Sequence, residues 1–160
     1  MLRSWEPEDA EWYVSARDEE VFRWTTEPRA LTADNLRQVI ERVRLQPTFA
    51  GFAIADPATG ALLGNIALTV VDGDAGVAEV MYWLAPHARH RGAASDGVRT
   101  ITDWAFQALP VRRIELLTHP GNRASQAVAV RTGFVPQGTR KNRLGKNRLV
   151  FTLSRRGGDD

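Results

Sequence analysis

The chain of 160 residues is long enough for one domain with a real core, and its 43% hydrophobic and 25% charged residues are those of a globular protein, not a disordered one. The absence of cysteine excludes a disulfide framework, a thiolate metal site and a cysteine nucleophile. No apolar run approaches the roughly 20 residues of a membrane span, the N-terminus lacks the basic-then-apolar order of a secretory signal, and a net charge of +2 is too small to imply nucleic-acid binding by itself, so a cytoplasmic protein is expected, as a monomer or homodimer.

Pro7, with Glu8, Asp9 and Glu11 after it, suits the first turn of a helix over residues 7–17. An irregular aromatic stretch, Val21-Phe22-Arg23-Trp24, is expected next. Thr32 reads as an N-cap, and Leu36, Val39, Ile40 and Val43 recur at helical spacing in a second helix that ends before Pro47. Three antiparallel strands then follow, over 49–55, 62–71 and 77–84, separated by the turn signals Asp56-Pro57-Ala58-Thr59-Gly60 and Asp72-Gly73-Asp74-Ala75-Gly76. Val98, Ile101, Trp104, Ala105 and Ala108 predict a helix that Pro110 terminates. A strand over 111–118, a short helix over 125–131 stopped by Gly133, and closing strands near 134–140 and 148–153 complete a single mixed α/β domain, with a flexible tail from about 155. The strand–helix–strand unit over 77–118 should set its two strands parallel and adjacent or nearly so.

Charge is unevenly spread. Glu6, Glu8, Asp9, Glu11, Asp18, Glu19 and Glu20 crowd the first twenty residues, while His87, Arg89, His90 and Arg91, and later Arg140, Lys141, Arg143, Lys146 and Arg148, form basic clusters. An acidic end beside a basic centre suits an anionic cofactor and a cationic substrate; ordinary solvated surface is the alternative.

Arg89-His90-Arg91-Gly92-Ala93-Ala94-Ser95 lies between a predicted strand and a predicted helix. A glycine and small side chains there let backbone N–H groups approach a phosphate, the helix adds its positive end, and Arg89 and Arg91 can add charge-assisted contacts. On these residues alone a tight turn with solvated arginines fits as well. Gly97-Val98-Arg99 is not a Walker sequence, His87 and His90 lack a third metal ligand, and no Gly-x-Ser-x-Gly elbow is present.

Arg89-x-x-Gly92-x-Ala94 resembles the Arg/Gln-x-x-Gly-x-Gly/Ala signature with which GNAT acetyltransferases grip the pyrophosphate of coenzyme A. The preceding 78–86 segment is similar to a strand of the RimJ/RimL-type branch, and Asn122-x-x-Ser125 with Arg131-Thr132-Gly133-Phe134 resembles that branch's second cofactor motif. The opening Leu2-Arg3 with Pro7-Glu8-Asp9-Ala10 is similar too, so the resemblance spans nearly the whole chain in family order.

The resemblance implies a GNAT fold: a mostly antiparallel sheet of six to seven strands with a central splayed parallel pair, flanked by about four helices. It implies acetyl-CoA as acyl donor, no metal, and direct attack by a primary amine in a ternary complex. Pantetheine would bond the backbone of Tyr82, Trp83 and Leu84, with N–H groups at Trp83 or Leu84 polarising the thioester. Arg89, Arg91, Gly92, Ala93, Ala94 and Ser95 would hold the phosphates, and Asn122 the pantetheine. Glu79 is the candidate base, with a structural carboxylate or an ordered water as alternatives; Ser125 is the candidate acid, with helix capping as the alternative. The tyrosine of many other family members is missing, its place falling at Ala129. Phe22 and Trp24 are expected to line the acceptor site. The acceptor itself, a protein or peptide N-terminal amine or a small amine, is not fixed by the motifs. A non-catalytic acyl-CoA-binding module and a ribosome- or RNA-associated basic protein are the rival readings.

Overall fold

The computed structural model describes residues 1–43, 46–142 and 144–155; Arg143, the side chain of Val43 and the tail from 156 onward lie outside them. The chain opens with a strand too short to show alternation in sequence, β1 (Leu2–Ser4), which pairs antiparallel with β2 (Phe49–Ala55), Leu2 opposite Ile54. A 3-10 turn at Pro7–Asp9 leads into α1 (Ala10–Ser15), so the expected first helix is present but begins as a tighter turn.

The aromatic stretch expected to be irregular is instead helical, α2 (Glu19–Trp24). Its signal was Asp18, whose carboxylate accepts the Val21 N–H at 3.1 Å and caps the helix. Thr32 caps α3 (Ala33–Val43) as expected, its Oγ1 accepting the Asn35 N–H, and Leu36 and Ile40 are buried. β2 continues antiparallel into β3 (Leu62–Asp72) and β4 (Val77–Leu84). The crossover helix α4 (Ala93–Ala108) then returns the chain to β5 (Arg113–Thr118), parallel to β4. After α5 (Arg123–Arg131), Gly133 takes the left-handed φ of 89° that ends the helix, and β6 (Val135–Lys141) and β7 (Asn147–Ser154) close the sheet.

The seven strands run in the order β1-β2-β3-β4-β5-β7-β6. Two apolar clusters pack on opposite faces. One gathers Ile66, Leu68, Val80, Ile114 and Leu116 under α4 and α5, through Val98, Ile101 and Val128. The other packs Trp5, Tyr13, Leu36 and Ile40 onto Ala53 and Trp83 under α1 and α3. Successive β4 side chains therefore serve different cores, Tyr82 facing the first and Trp83 the second. Among the described residues no helix is long and apolar enough to cross a membrane.

Candidate active site at the splayed strands

β4 and β5 pair from Val77 opposite Arg113 to Val80 opposite Leu116, and no further. β4 nevertheless continues to Leu84, held on its other edge by β3 up to Gly64 opposite Leu84. The Ala85 N–H donates to Leu63 O of β3 at 2.9 Å. Backbone groups alternate sides along a strand, so Met81 and Trp83 turn theirs to β3 while Tyr82 and Leu84 turn theirs to the opening. Trp83 O accordingly lies against Gly64, where a β-carbon would collide with it. Of the two N–H groups considered for the thioester, Leu84 thus faces the opening and Trp83 does not.

A cavity of about 480 Å³ fills the opening, lined among others by Glu79, Leu84, Gly92, Ser95, Asn122 and Ser125. One rim is the loop before α4. His90 (φ 61°) and Gly92 (φ 84°) both adopt left-handed backbone, and Gly92 is the N-cap of α4. No heavy atom lies closer than 4.0 Å to a β-carbon built at Gly92, so its glycine answers the backbone angle and leaves space for a ligand. Ala94 and Ser95 line the cavity beside it, at the positive end of a 16-residue helix.

Of the two loop arginines, Arg89 lines the cavity and Arg91 does not. Arg89 points back onto α2, where Asp18 holds it at 2.7 and 2.9 Å, Glu20 at 2.9 Å, and Leu84 O accepts at 3.2 Å. Hydrogen bonding to Arg89 depresses the pKa of Asp18 and raises that of Arg89, so this pair stays charged. The N-cap acid of α2 therefore already neutralises the guanidinium expected at the phosphates. Arg91 and Ala93 lie outside the main cavity, lining a smaller groove with Met1, Leu2 and Asp96. Arg131 also lines the cavity, its Nη1 donating to Ser95 Oγ at 3.3 Å. It stood in the quoted second motif, without a role.

On the α5 side Asn122 caps the helix, its Oδ1 accepting the Ser125 N–H at 3.1 Å and leaving Nδ2 for a ligand. The Tyr82 hydroxyl donates to Ser125 Oγ at 3.2 Å. Burial raises the Tyr82 pKa, which keeps this phenol protonated. The Tyr82 side chain thus has a polar contact in the cleft besides the backbone expected to serve there. Ala129, where other family members keep a tyrosine, is fully buried against the first core. Thr118, at the end of β5, lines the same cavity, and its Oγ1 is buried with no partner among the described residues.

Glu79 lies on the other face, next to Glu115 across the β4–β5 register. Glu115 is 4% exposed and receives Arg140 at 2.6 Å and Arg113 at 3.2 Å, which balances a carboxylate that would otherwise repel its neighbour. Trp24 lines the cavity and packs on His119 at 5.1 Å. Phe22 does not line it. The turn of α2 carries its ring away, to Arg29 at 4.5 Å and Arg17 at 5.4 Å. Among the described residues no group of His, Asp and Glu side chains could hold a metal ion.

The central parallel pair of the mixed sheet separates beside a helix N-terminus and leaves a cleft that passes from one face of the sheet to the other. Residues 1–135 match the family described as Acetyltransferase (GNAT) domain, and the chain belongs to that family. It is 31% identical over 94 residues to the putative ribosomal N-acetyltransferase YdaF of Bacillus subtilis, a match covering 59% of this chain and 51% of that protein; the chain thus spans about half the length of that relative. A crystal structure of a probable acetyltransferase superposes with a TM-score of 0.84 at 26% identity, covering 97% of this chain and 92% of that one. Mycobacterium smegmatis RimJ, solved in complex with CoA-disulfide, shares the fold with a TM-score of 0.83 at 22% identity, over 96% and 80% of the two chains.

Proposed function

We propose that the chain is an N-acetyltransferase that moves an acetyl group from acetyl-CoA to a primary amine, on a peptide or protein N-terminus or a small molecule, by direct attack. The observation that carries this is the end of β4–β5 pairing at Val80 and Leu116, which turns the backbone of Tyr82 and Leu84 into a cavity that begins at the N-terminus of α4.

The residues present fit the donor. Gly92 leaves room for a phosphate at the end of the α4 dipole, Ala94 and Ser95 supply N–H groups there, and Arg131 supplies the charge that Arg89 has committed to α2. The backbones of Tyr82 and Leu84 and the Asn122 amide suit the amides of pantetheine, and the orphaned Thr118 hydroxyl gives one more polar partner inside the cleft. Acetyl-CoA supplies an activated thioester. The Leu84 N–H, which faces the opening, stabilises negative charge on the acetyl oxygen.

Glu79, from the opposite face, takes the proton that the amine loses as its nitrogen bonds the acetyl carbon, directly or through water. Ser125 delivers a proton to the departing sulfur and regains one from solvent water, while the Tyr82 phenol, which stays protonated, holds the Ser125 oxygen by its hydrogen bond. Acid and base thus sit on different faces of the sheet and meet through the gap.

Thiol release from acetyl-CoA with a panel of amines tests this. Turnover is expected, and Glu79→Gln should lower kcat/KM most at low pH, where few amines are unprotonated without help. Tight acetyl-CoA binding with no amine turned over would overturn the enzymatic reading in favour of a binding module.

A further inference from the structure

The charges of the two ends of the chain are handled differently. Residues 1–115 carry seventeen Asp and Glu against twelve Arg and Lys, whereas residues 116–158 carry nine Arg and Lys and no acid at all. The carboxylates of α2 nearest the cavity are already answered: Asp18 and Glu20 by Arg89 at 2.7 and 2.9 Å, and Glu19 by Arg29 at 2.6 Å. On the β6–β7 hairpin, Lys141, Lys146 and Arg148 face no carboxylate within ion-pair distance among the described residues; Arg140 alone is spent, on Glu115. Asn142 Oδ1 accepts the N–H groups of Leu144 and Lys146 at 3.0 and 2.9 Å, and the Asn142 N–H donates to Lys146 O at 2.8 Å.

This cationic hairpin reaches the cleft, because Asn142 and the half-buried Arg148 line the same cavity as Glu79. Glu79 is in register with Glu115, and Glu115 with Thr152, four residues along β7 from Arg148, so Glu79 and Arg148 project from one face of the sheet. β7 lies two strands, or about 10 Å, from β4, and Arg148 a further four residues, or about 13 Å, along it, a span of about 17 Å that an extended peptide covers in about five residues.

We infer that the acceptor is an acidic peptide: an N-terminal amine presented at Glu79 and followed within the next few residues by Asp or Glu side chains that Lys146 and Arg148 receive. This rests on the acetyltransferase reading and narrows it. Polycationic amines are disfavoured, since the carboxylates that would draw them are paired and the unpaired charge at the mouth repels them. An RNA partner is less well served, because Arg148 lies within the cleft rather than on an outer row that a phosphate backbone could follow.

The full chain, with acetyl-CoA, is assayed by thiol release on peptides that differ only at positions two to five, made acidic, neutral or basic, and on a polyamine. Acidic peptides should exceed basic ones in kcat/KM by at least tenfold at low ionic strength, with the gap closing as salt is added. The double variant Lys146→Glu with Arg148→Glu should reverse the order, and Arg148→Lys should restore most of it. Equal use of acidic and basic peptides, or preference for the polyamine, would overturn the inference while leaving acetyl transfer intact. Absence of all turnover would instead count against the enzyme. In that event binding of the same peptides to the CoA-loaded protein, read by tryptophan fluorescence, still decides the charge preference. RNA that binds more tightly than the acidic peptide and blocks no turnover would also overturn it.

Discussion

The two halves of β4 have the same sequence texture and opposite duties. Val77, Ala78 and Val80 are paired on both edges and buried between β3 and β5, whereas Tyr82 and Leu84 are paired on one edge only and open onto the cavity. The first half holds the sheet together and the second offers unpaired backbone to a ligand, and an unpaired edge in a sheet interior is costly unless something bonds to it. The opening is made by where pairing stops, not by a change of residue type.

The largest expected effect comes from filling the far rim of the open half. Gly92→Glu should weaken coenzyme A binding at least hundredfold in calorimetric titration, through bulk and negative charge at the phosphate position. Its left-handed backbone adds a stability cost of about 1 kcal/mol, visible as a modest fall in Tm. Unchanged affinity would break the link between this loop and the cleft. A smaller effect separates the backbone of the open half from its side chains. Tyr82→Phe keeps the N–H and C=O groups but removes the hydroxyl on Ser125, so kcat should fall about tenfold while KM for acetyl-CoA stays within about twofold. A rise in KM alone would make that hydroxyl a binding contact rather than part of the acid.

Much of the scaffold was legible because periodicity and turn chemistry are local. Phe49–Ala55 and Val77–Leu84 were read to the residue, and the parallel placement of β4 and β5 followed from the handedness and length of the crossover. β1 was missed because three residues show no alternation, and α2 because its cap at Asp18 was overshadowed by an aromatic run without helical period. Within the cleft, the motif residues Gly92, Ala94, Ser95, Asn122 and Ser125 all came together. Arg89 illustrates the limit. Its position in the motif implied a phosphate contact, but its ion pair runs to Asp18, 71 residues away in sequence, and no local pattern announces such a partner. Arg91 and Phe22 lie off the cavity for a similar reason, since which way a side chain leaves a loop or a short helix depends on what packs around it. Thr118 and Arg131 gave no signal of their own; burial without a partner, and position beside Ser95, are properties of the folded chain.

Amide hydrogen exchange of the protein, with and without coenzyme A, measures the central claim most directly, residue by residue along β4. The N–H groups of Tyr82 and Leu84 should exchange quickly in the free protein and become protected when coenzyme A is bound, while those of Met81 and Trp83, already turned to β3, should be slow in both states. Protection that appears elsewhere but leaves Tyr82 and Leu84 unchanged would contradict the assignment of the splayed strand as the cofactor site.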